Sequence, residues 1–298
     1  MTKSSAASIR QRLLNLARAR GENFDYVLKT YLIQRLLYRL GLSPFRDRFL
    51  LKGAMLFWIW DGDAHRPTRD IDLLGFGEND VDTLIAQFGE ICSVEPEDGL
   101  EFDLPSIRGI EIKEDALYQG VRITGKATLD SANVTFQVDI GFGDAVSPKA
   151  EMATLPSFLD LPEPELNVYP VYTVIAEKFQ AMVVLGIANS RMKDFYDLRV
   201  IASSMEIEGN VLVEAIRATF KRRETALSEN RPSIFEPPFT TDENKQKQWV
   251  AFLRKNGLDS GMTFEVLMDK LREFLVPAYL AVAHGERLDG SWVSDKWI

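Results

Sequence analysis

Apolar positions recur along the first forty residues with the period of a helix. Ile9, Leu13, Leu16 and Ala17 share one stripe that ends at Gly21, with Ser4 or Ser5 available as a cap. A second stripe, Val27, Tyr31, Ile33, Leu36, Leu37 and Leu40, follows a candidate cap at Asn23 and stops at Gly41. Beyond Ser43-Pro44 the period changes. Residues 49–51 form a short apolar run closed by Gly53, and the bulky stretch 55–60 reads as a buried helix. A polar loop over 61–69 leads into a strand at 70–74, a helix at about 79–92, and three alternating segments at 110–112, 121–128 and 134–140. Residues 144–167, rich in proline and acidic side chains, read as a connection between lobes. From Tyr169 onward the pattern is helical, with candidates at about 172–186, 190–204, 210–222, 242–256 and 263–284, the last kinked by Pro277.

Composition adds exclusions. The single cysteine, Cys92, removes any intramolecular disulfide framework or CxxC site, and two histidines cannot build a poly-His metal centre. No apolar run is expected to span a bilayer, and the N-terminus lacks a signal-peptide core, so a cytoplasmic location without membrane attachment is expected. Charge is unevenly spread. Residues 1–52 carry 11 Lys and Arg against 3 Asp and Glu, or +8, which leaves −17 for the remainder of a chain whose net is −9. Such a basic segment suits a polyanion, with Arg10, Arg12, Arg18, Arg20, Arg35 and Arg39 as the candidates to face it, although a solvated helix pair or an interface with an acidic partner protein carries the same pattern.

Several side chains are candidates for chemistry. On a strand, Asp70 and Asp72 project from one face while Ile71 and Leu73 enter the core. Paired carboxylates at that spacing suit Mg²⁺, a hard cation that favours oxygen ligands, though a solvated strand edge shows the same motif. Alternation through 134–140 places Asp139 on a polar face with Thr135 and Gln137, where it can act as a third carboxylate or simply end a strand. Lys52-Gly53 before a helix lets backbone N–H groups approach phosphate, and the cations His65, Arg66 and Arg69 lie near the D-x-D in sequence. Lys178 stands inside the apolar stripe of its helix, three after Ile175 and four before Met182, so it must either reach out to solvent or find a buried anion. Asp194 and Asp197 border the buried face of the next helix and can orient that lysine or form an ordinary interhelix ion pair.

The ordered set Lys52-Gly53, Arg69-Asp70-Ile71-Asp72-Leu73, Val138-Asp139, Glu177-Lys178 and Arg191-x-Lys193-Asp194-x-x-Asp197-Leu198 resembles the AbiEii/MenT family of nucleotidyltransferase toxins. The resemblance implies an α+β protein: a polymerase-β-like nucleotidyltransferase core with flanking N-terminal helices over 1–165, then an all-helical lobe over 166–298, with the active site in a cleft between them. It further implies Asp70, Asp72 and Asp139 as metal ligands and Lys178 as a triphosphate ligand supported by Asp194 or Asp197. Lys52, Gly53, Arg66 and Arg69 would assist at the nucleotide. The implied activity is Mg²⁺-dependent transfer of a nucleotide from an NTP to the 3′ end of tRNA, releasing pyrophosphate and blocking translation, with a cognate antitoxin protein as partner. Transfer to a protein or small-molecule hydroxyl, or a non-catalytic binding role, remains open at this point. One departure is Gly53-Ala54-Met55, where many members carry Gly-Ser or Gly-Gly-Thr, which removes a hydroxyl contact to phosphate.

Overall fold

The computed structural model describes residues 6–62, 66–115, 118–259 and 261–298, and its chain separates into two units, Met1–Gly143 with Ala150–Tyr169 and Asp144–Lys149 with Pro170–Ile298. The first begins with helices α1 (Ala6–Arg20) and α2 (Phe24–Leu42). The predicted cap of α1 at Ser4 or Ser5 lies outside the described residues. Asn23 caps α2, its side-chain oxygen accepting the Asp25 N–H at 2.7 Å.

Seven strands follow: β1 (Phe49–Lys52), β2 (Ile71–Gly75), β3 (Leu100–Asp115), β4 (Tyr118–Leu129), β5 (Ala132–Phe142), β6 (Glu151–Thr154) and β7 (Glu165–Val168). They form one mixed sheet in the order β3-β4-β5-β2-β1-β7-β6. β2 runs parallel to β5 and β1 parallel to β7, while the other pairs are antiparallel. Two short helices join the strands, α3 (Leu56–Asp61) and α4 (Val81–Ser93). Alternation sets one sheet face apolar: Leu51, Ile71, Leu73, Ile123, Phe136, Val138 and Ile140 are all buried. α2 packs on β5 and β7, and α4 on β3.

Residues 144–167 were expected to be a connection, yet they supply β6 and β7. The four residues of β6 are mostly exposed at the sheet edge, so they lack the apolar alternation by which a half-buried strand is recognised. The preceding stretch belongs to the second unit. There Asp144 accepts from Arg223 Nη2 at 2.9 Å, and Ser147 exchanges hydrogen bonds with the Thr173 hydroxyl.

The second unit contains α5 (Val171–Leu185), α6 (Met192–Ser204), α7 (Gly209–Arg222), α8 (Pro237–Thr240), α9 (Glu243–Asn256) and α10 (Phe264–His284), which continues through Pro277. It is not all-helical. β8 (Ile207–Glu208), β9 (Ser291–Val293) and β10 (Lys296–Trp297) form a small antiparallel sheet, anchored by buried Trp292, whose indole N–H donates to the Ala202 carbonyl at 2.7 Å. Strands of two or three residues are too short to register as alternation and exist here through pairing across the chain. A second correction concerns Val171–Ala188, which is apolar and long enough to cross a membrane, with a mean hydropathy of 1.5. Its residues Val174, Ile175, Phe179 and Met182 are buried and α5 packs on α6 and α7, as a core helix does.

Two of the six arginines expected to face RNA are buried. Asp98 accepts from Arg35 Nε at 3.1 Å and from Arg39 Nη1 and Nη2 at 2.5 and 3.1 Å. The spare donors reach the carbonyls of Pro162 and Val94. A helical stripe predicts which positions turn inward, but not that a distant aspartate waits there to receive a charge. Removing that carboxylate leaves two guanidinium groups buried without a counter-charge. Asp98→Ala is expected to lower the unfolding free energy by about 3–5 kcal/mol, read from the shift in urea midpoint at unchanged slope.

Candidate active site

Strand register brings together residues that are far apart in sequence. Lys52 is the Cα partner of Asp72 across β1–β2, Asp72 of Asp139 across β2–β5, and Asp139 of Arg122 across β4–β5. Partners in register share a face, so Arg122, Asp139, Asp72 and Lys52 form one transverse row opposite the apolar face. Asp70 lies two residues before Asp72, just ahead of β2, and accepts the Thr68 hydroxyl on Oδ1 at 2.9 Å.

Gly53 completes this corner. Its φ is +78°, and a Cβ there would stand 2.1 Å from Asp72 Oδ2. Glycine is thus required twice, for the left-handed backbone and for the close approach of the main chain to the carboxylate. Ala54 and Met55, at the departure from the family pattern, are buried.

The acids are surrounded by cations. Arg122 binds Asp139 as a fork, Nε to Oδ1 and Nη2 to Oδ2, both at 2.7 Å. Gln137 Nε2 lies 3.3 Å from each of the same oxygens. The hydrogen bond to Asp139 raises the Arg122 pKa, with burial opposing and the charges of Asp139, Asp70 and Asp72 assisting. Lys29 on α2 donates to the Thr135 carbonyl. Burial lowers its pKa, and the nearby Asp70 works against that shift. Arg66 is half-buried and Arg69 exposed in the segment entering β2, while His65 lies outside the described residues. Arg122, Thr68 and Lys29 were not picked out from sequence. Alternation through 121–128 places Arg122 on the polar face, but its acid partner is 17 positions away and becomes visible only through the β4–β5 hairpin.

The aspartates on or beside this sheet face offer oxygen donors of the hard type that a divalent cation prefers. Asp70 and Asp72 fit that role. Asp139 has both oxygens engaged by Arg122, and among the described residues no three acidic, histidine or cysteine side chains are already arranged to hold a metal.

The second unit contains a separate charged cluster. Lys178 on α5 donates to Asp194 Oδ1 and Asp197 Oδ2, each at 2.8 Å, and Arg191 Nε donates to Asp194 Oδ2 at 2.6 Å. Both aspartates on α6 are buried, at 1% and 0% exposure. Of the two fates open to a lysine in an apolar stripe, the structure shows the buried anion. Burial alone would raise the Asp194 pKa, but Lys178 and Arg191 outweigh it and hold the carboxyl below its ordinary value.

A family described as nucleotidyl transferase AbiEii toxin, of type IV toxin–antitoxin systems, matches residues 35–270. No curated protein matches significantly. Two solved structures are similar: JHP933 from Helicobacter pylori, at 12% identity over 87% of this chain and 94% of that one with a TM-score of 0.51, and a candidate nucleotidyltransferase from H. pylori, at 12% identity over 88% and 97% with a TM-score of 0.50. At that identity the likeness concerns the fold.

Because the folded Asp194 pKa is depressed, its stabilising contribution is complete above the unfolded carboxyl pKa of about 3.9 and is lost as pH falls through the lower folded value. Urea midpoints between pH 2.5 and 6 are expected to fall less steeply with acid in Asp194→Asn than in the unsubstituted protein.

Proposed function

From a chain that belongs to the AbiEii family of nucleotidyl transferase toxins of type IV toxin–antitoxin systems, we propose an enzyme that moves a nucleotide from an NTP to the 3′ end of tRNA, with Mg²⁺ as cofactor and a cognate antitoxin as its restraint. The observation that carries the reading is the transverse row in which Asp72 and Asp139 stand side by side, with Gly53 packed against Asp72. Asp70 and Asp72 would hold the divalent cation, with Asp139 as the third carboxylate. When bound, the cation supplies charge neutralisation at the phosphates and lowers the barrier to attack at the α-phosphorus. The acceptor hydroxyl oxygen bonds to that phosphorus as the bond to the bridging oxygen breaks, and pyrophosphate leaves. Gly53 allows main-chain N–H groups near the phosphates without side-chain obstruction.

With Arg35 and Arg39 paired to Asp98, Arg12 donating to the Leu159 carbonyl, and Arg10 half-buried over the Phe24 ring, the exposed Arg18 and Arg20 of α1, the latter also over the Phe158 ring, are the candidates to meet RNA phosphates. Replacing both with glutamine is expected to weaken tRNA binding and to flatten its log–log salt dependence by roughly one to two units, measured by filter binding. An unchanged slope would remove α1 from the RNA surface.

Incubating the protein with Mg²⁺, each α-labelled NTP and total tRNA tests the reaction. Label should enter RNA with at least one NTP, and Asp72→Ala should reduce it by at least about 10²-fold. Equal label with both proteins would refute the site, and no label with any NTP would refute tRNA as acceptor.

A further inference from the structure

Asp139 is the third carboxylate of the row, but it is not open to a ligand as it stands. It is 8% exposed, and the Arg122 fork takes both of its oxygens at 2.7 Å. A guanidinium fork and a divalent cation seek the same oxygens, so one carboxylate cannot serve both fully. Arg122 is also the more exposed member of the pair. Its side chain is 36% exposed against 11% for that of Asp139, and it stands at the solvent side of the pair. Lys52 flanks the row at its other end but faces Asp72 rather than Asp139. Gln137 Nε2 also lies 3.3 Å from each oxygen, but the shorter, charge-assisted fork makes Arg122 the main competitor for Asp139.

We propose that Arg122 is a latch: it holds Asp139 closed in the nucleotide-free protein, and it transfers its planar fork to a phosphate of the incoming NTP, releasing Asp139 to complete the cation site. This rests on the reading of Asp70, Asp72 and Asp139 as a nucleotidyltransferase site. Phosphate and carboxylate offer the same paired-oxygen geometry to a guanidinium, so the exchange conserves the fork while moving it from protein to substrate. No bond to carbon or phosphorus changes in this step. Arg122 is a positioning residue toward Asp139 and a substrate ligand once the NTP is bound. The consequence is an ordered site, in which three-carboxylate cation binding is coupled to the presence of a triphosphate.

Mn²⁺ binding without nucleotide, followed by electron paramagnetic resonance, reads the latch directly. Arg122→Lys keeps the charge but cannot form the fork, and Arg122→Gln removes both. Circular dichroism and melting curves for each variant establish that it folds. The latch predicts Mn²⁺ binding several-fold tighter in Arg122→Lys and about tenfold tighter in Arg122→Gln, with the gain in Arg122→Lys erased by adding Asp139→Asn. It also predicts a KM for NTP raised about tenfold in Arg122→Gln, with a smaller effect on kcat. Mn²⁺ binding in Arg122→Lys equal to or weaker than that of the unsubstituted protein would overturn the latch, as would an unchanged KM. Loss of Mn²⁺ in Asp72→Ala, with no gain in either Arg122 variant, would leave the nucleotidyltransferase site standing and the latch refuted. Absence of Mn²⁺ binding in every form would overturn both.

Discussion

Asp72 and Asp139 face each other across a parallel strand pair, an arrangement in which two carboxylates repel. A strand pair with that defect needs compensation close by, and the same register supplies it, with Arg122 beyond Asp139 and Lys52 beyond Asp72. The row therefore reads plus, minus, minus, plus across four strands. The long β4–β5 hairpin sets Arg122 opposite Asp139, the parallel β2–β5 pairing sets the acids side by side, and the left-handed turn at Gly53 brings main chain against Asp72. A one-residue slip of β2 would turn Asp70 and Asp72 into the apolar face and Ile71 and Leu73 out of it. The buried apolar face thus fixes the geometry of the charged one.

The second unit solves a related problem by different means. Lys178 interrupts an apolar helical stripe, and two buried aspartates on α6 receive it, with Arg191 reinforcing Asp194 from the surface side. Two buried acids against one partly buried lysine form a cluster that resists rearrangement at neutral pH, because removing the lysine would leave buried charge unpaired. The acidic row is different. Arg122 lies partly at the surface while Lys52 is buried, so the charge balance at the Asp139 end can be exchanged for one supplied by a ligand. One cluster is built to stay as it is and the other to rearrange.

How much of this was legible in the sequence follows from the range of the forces involved. Helices α5, α6, α7, α9 and α10 were readable to within a residue or two because each carries its own apolar stripe, a local property, whereas the four residues of α8 are too few to show one. β6 was hidden by its exposed edge position, and β8, β9 and β10 by their length. Of β3, only residues 110–112 showed clear alternation, since the strand changes register between Asp103 and Arg108 and no single period runs through it. The acids of the site were readable as residue types on predicted faces. Their assembly was not, because Lys52, Asp72, Asp139 and Arg122 meet through strand order, and strand order depends on contacts distant in sequence. Arg35 and Arg39 give the reverse case. Their charge suggested a surface, and only the position of Asp98 reveals that they stabilise the interior.

That case bears on how an acidic protein approaches polyanions. A net charge of −9 repels nucleotide and RNA at long range, so attraction must come from local fields within a Debye length of about 8 Å at physiological ionic strength. Two charges of the basic N-terminal segment are buried and share the single carboxylate of Asp98, which leaves less surface potential there than composition suggests. At the sheet row the balance is closer, with Lys29, Lys52, Arg69 and Arg122 set among three aspartates. A triphosphate alone would meet those carboxylates and be repelled, and a cation alone would meet the arginine fork. Each ligand weakens the obstacle to the other, since the cation offsets the acids and the phosphates offer Arg122 an alternative partner. The row is thus better matched to the cation–nucleotide pair than to either member, a selectivity that arises from charge order along four strands.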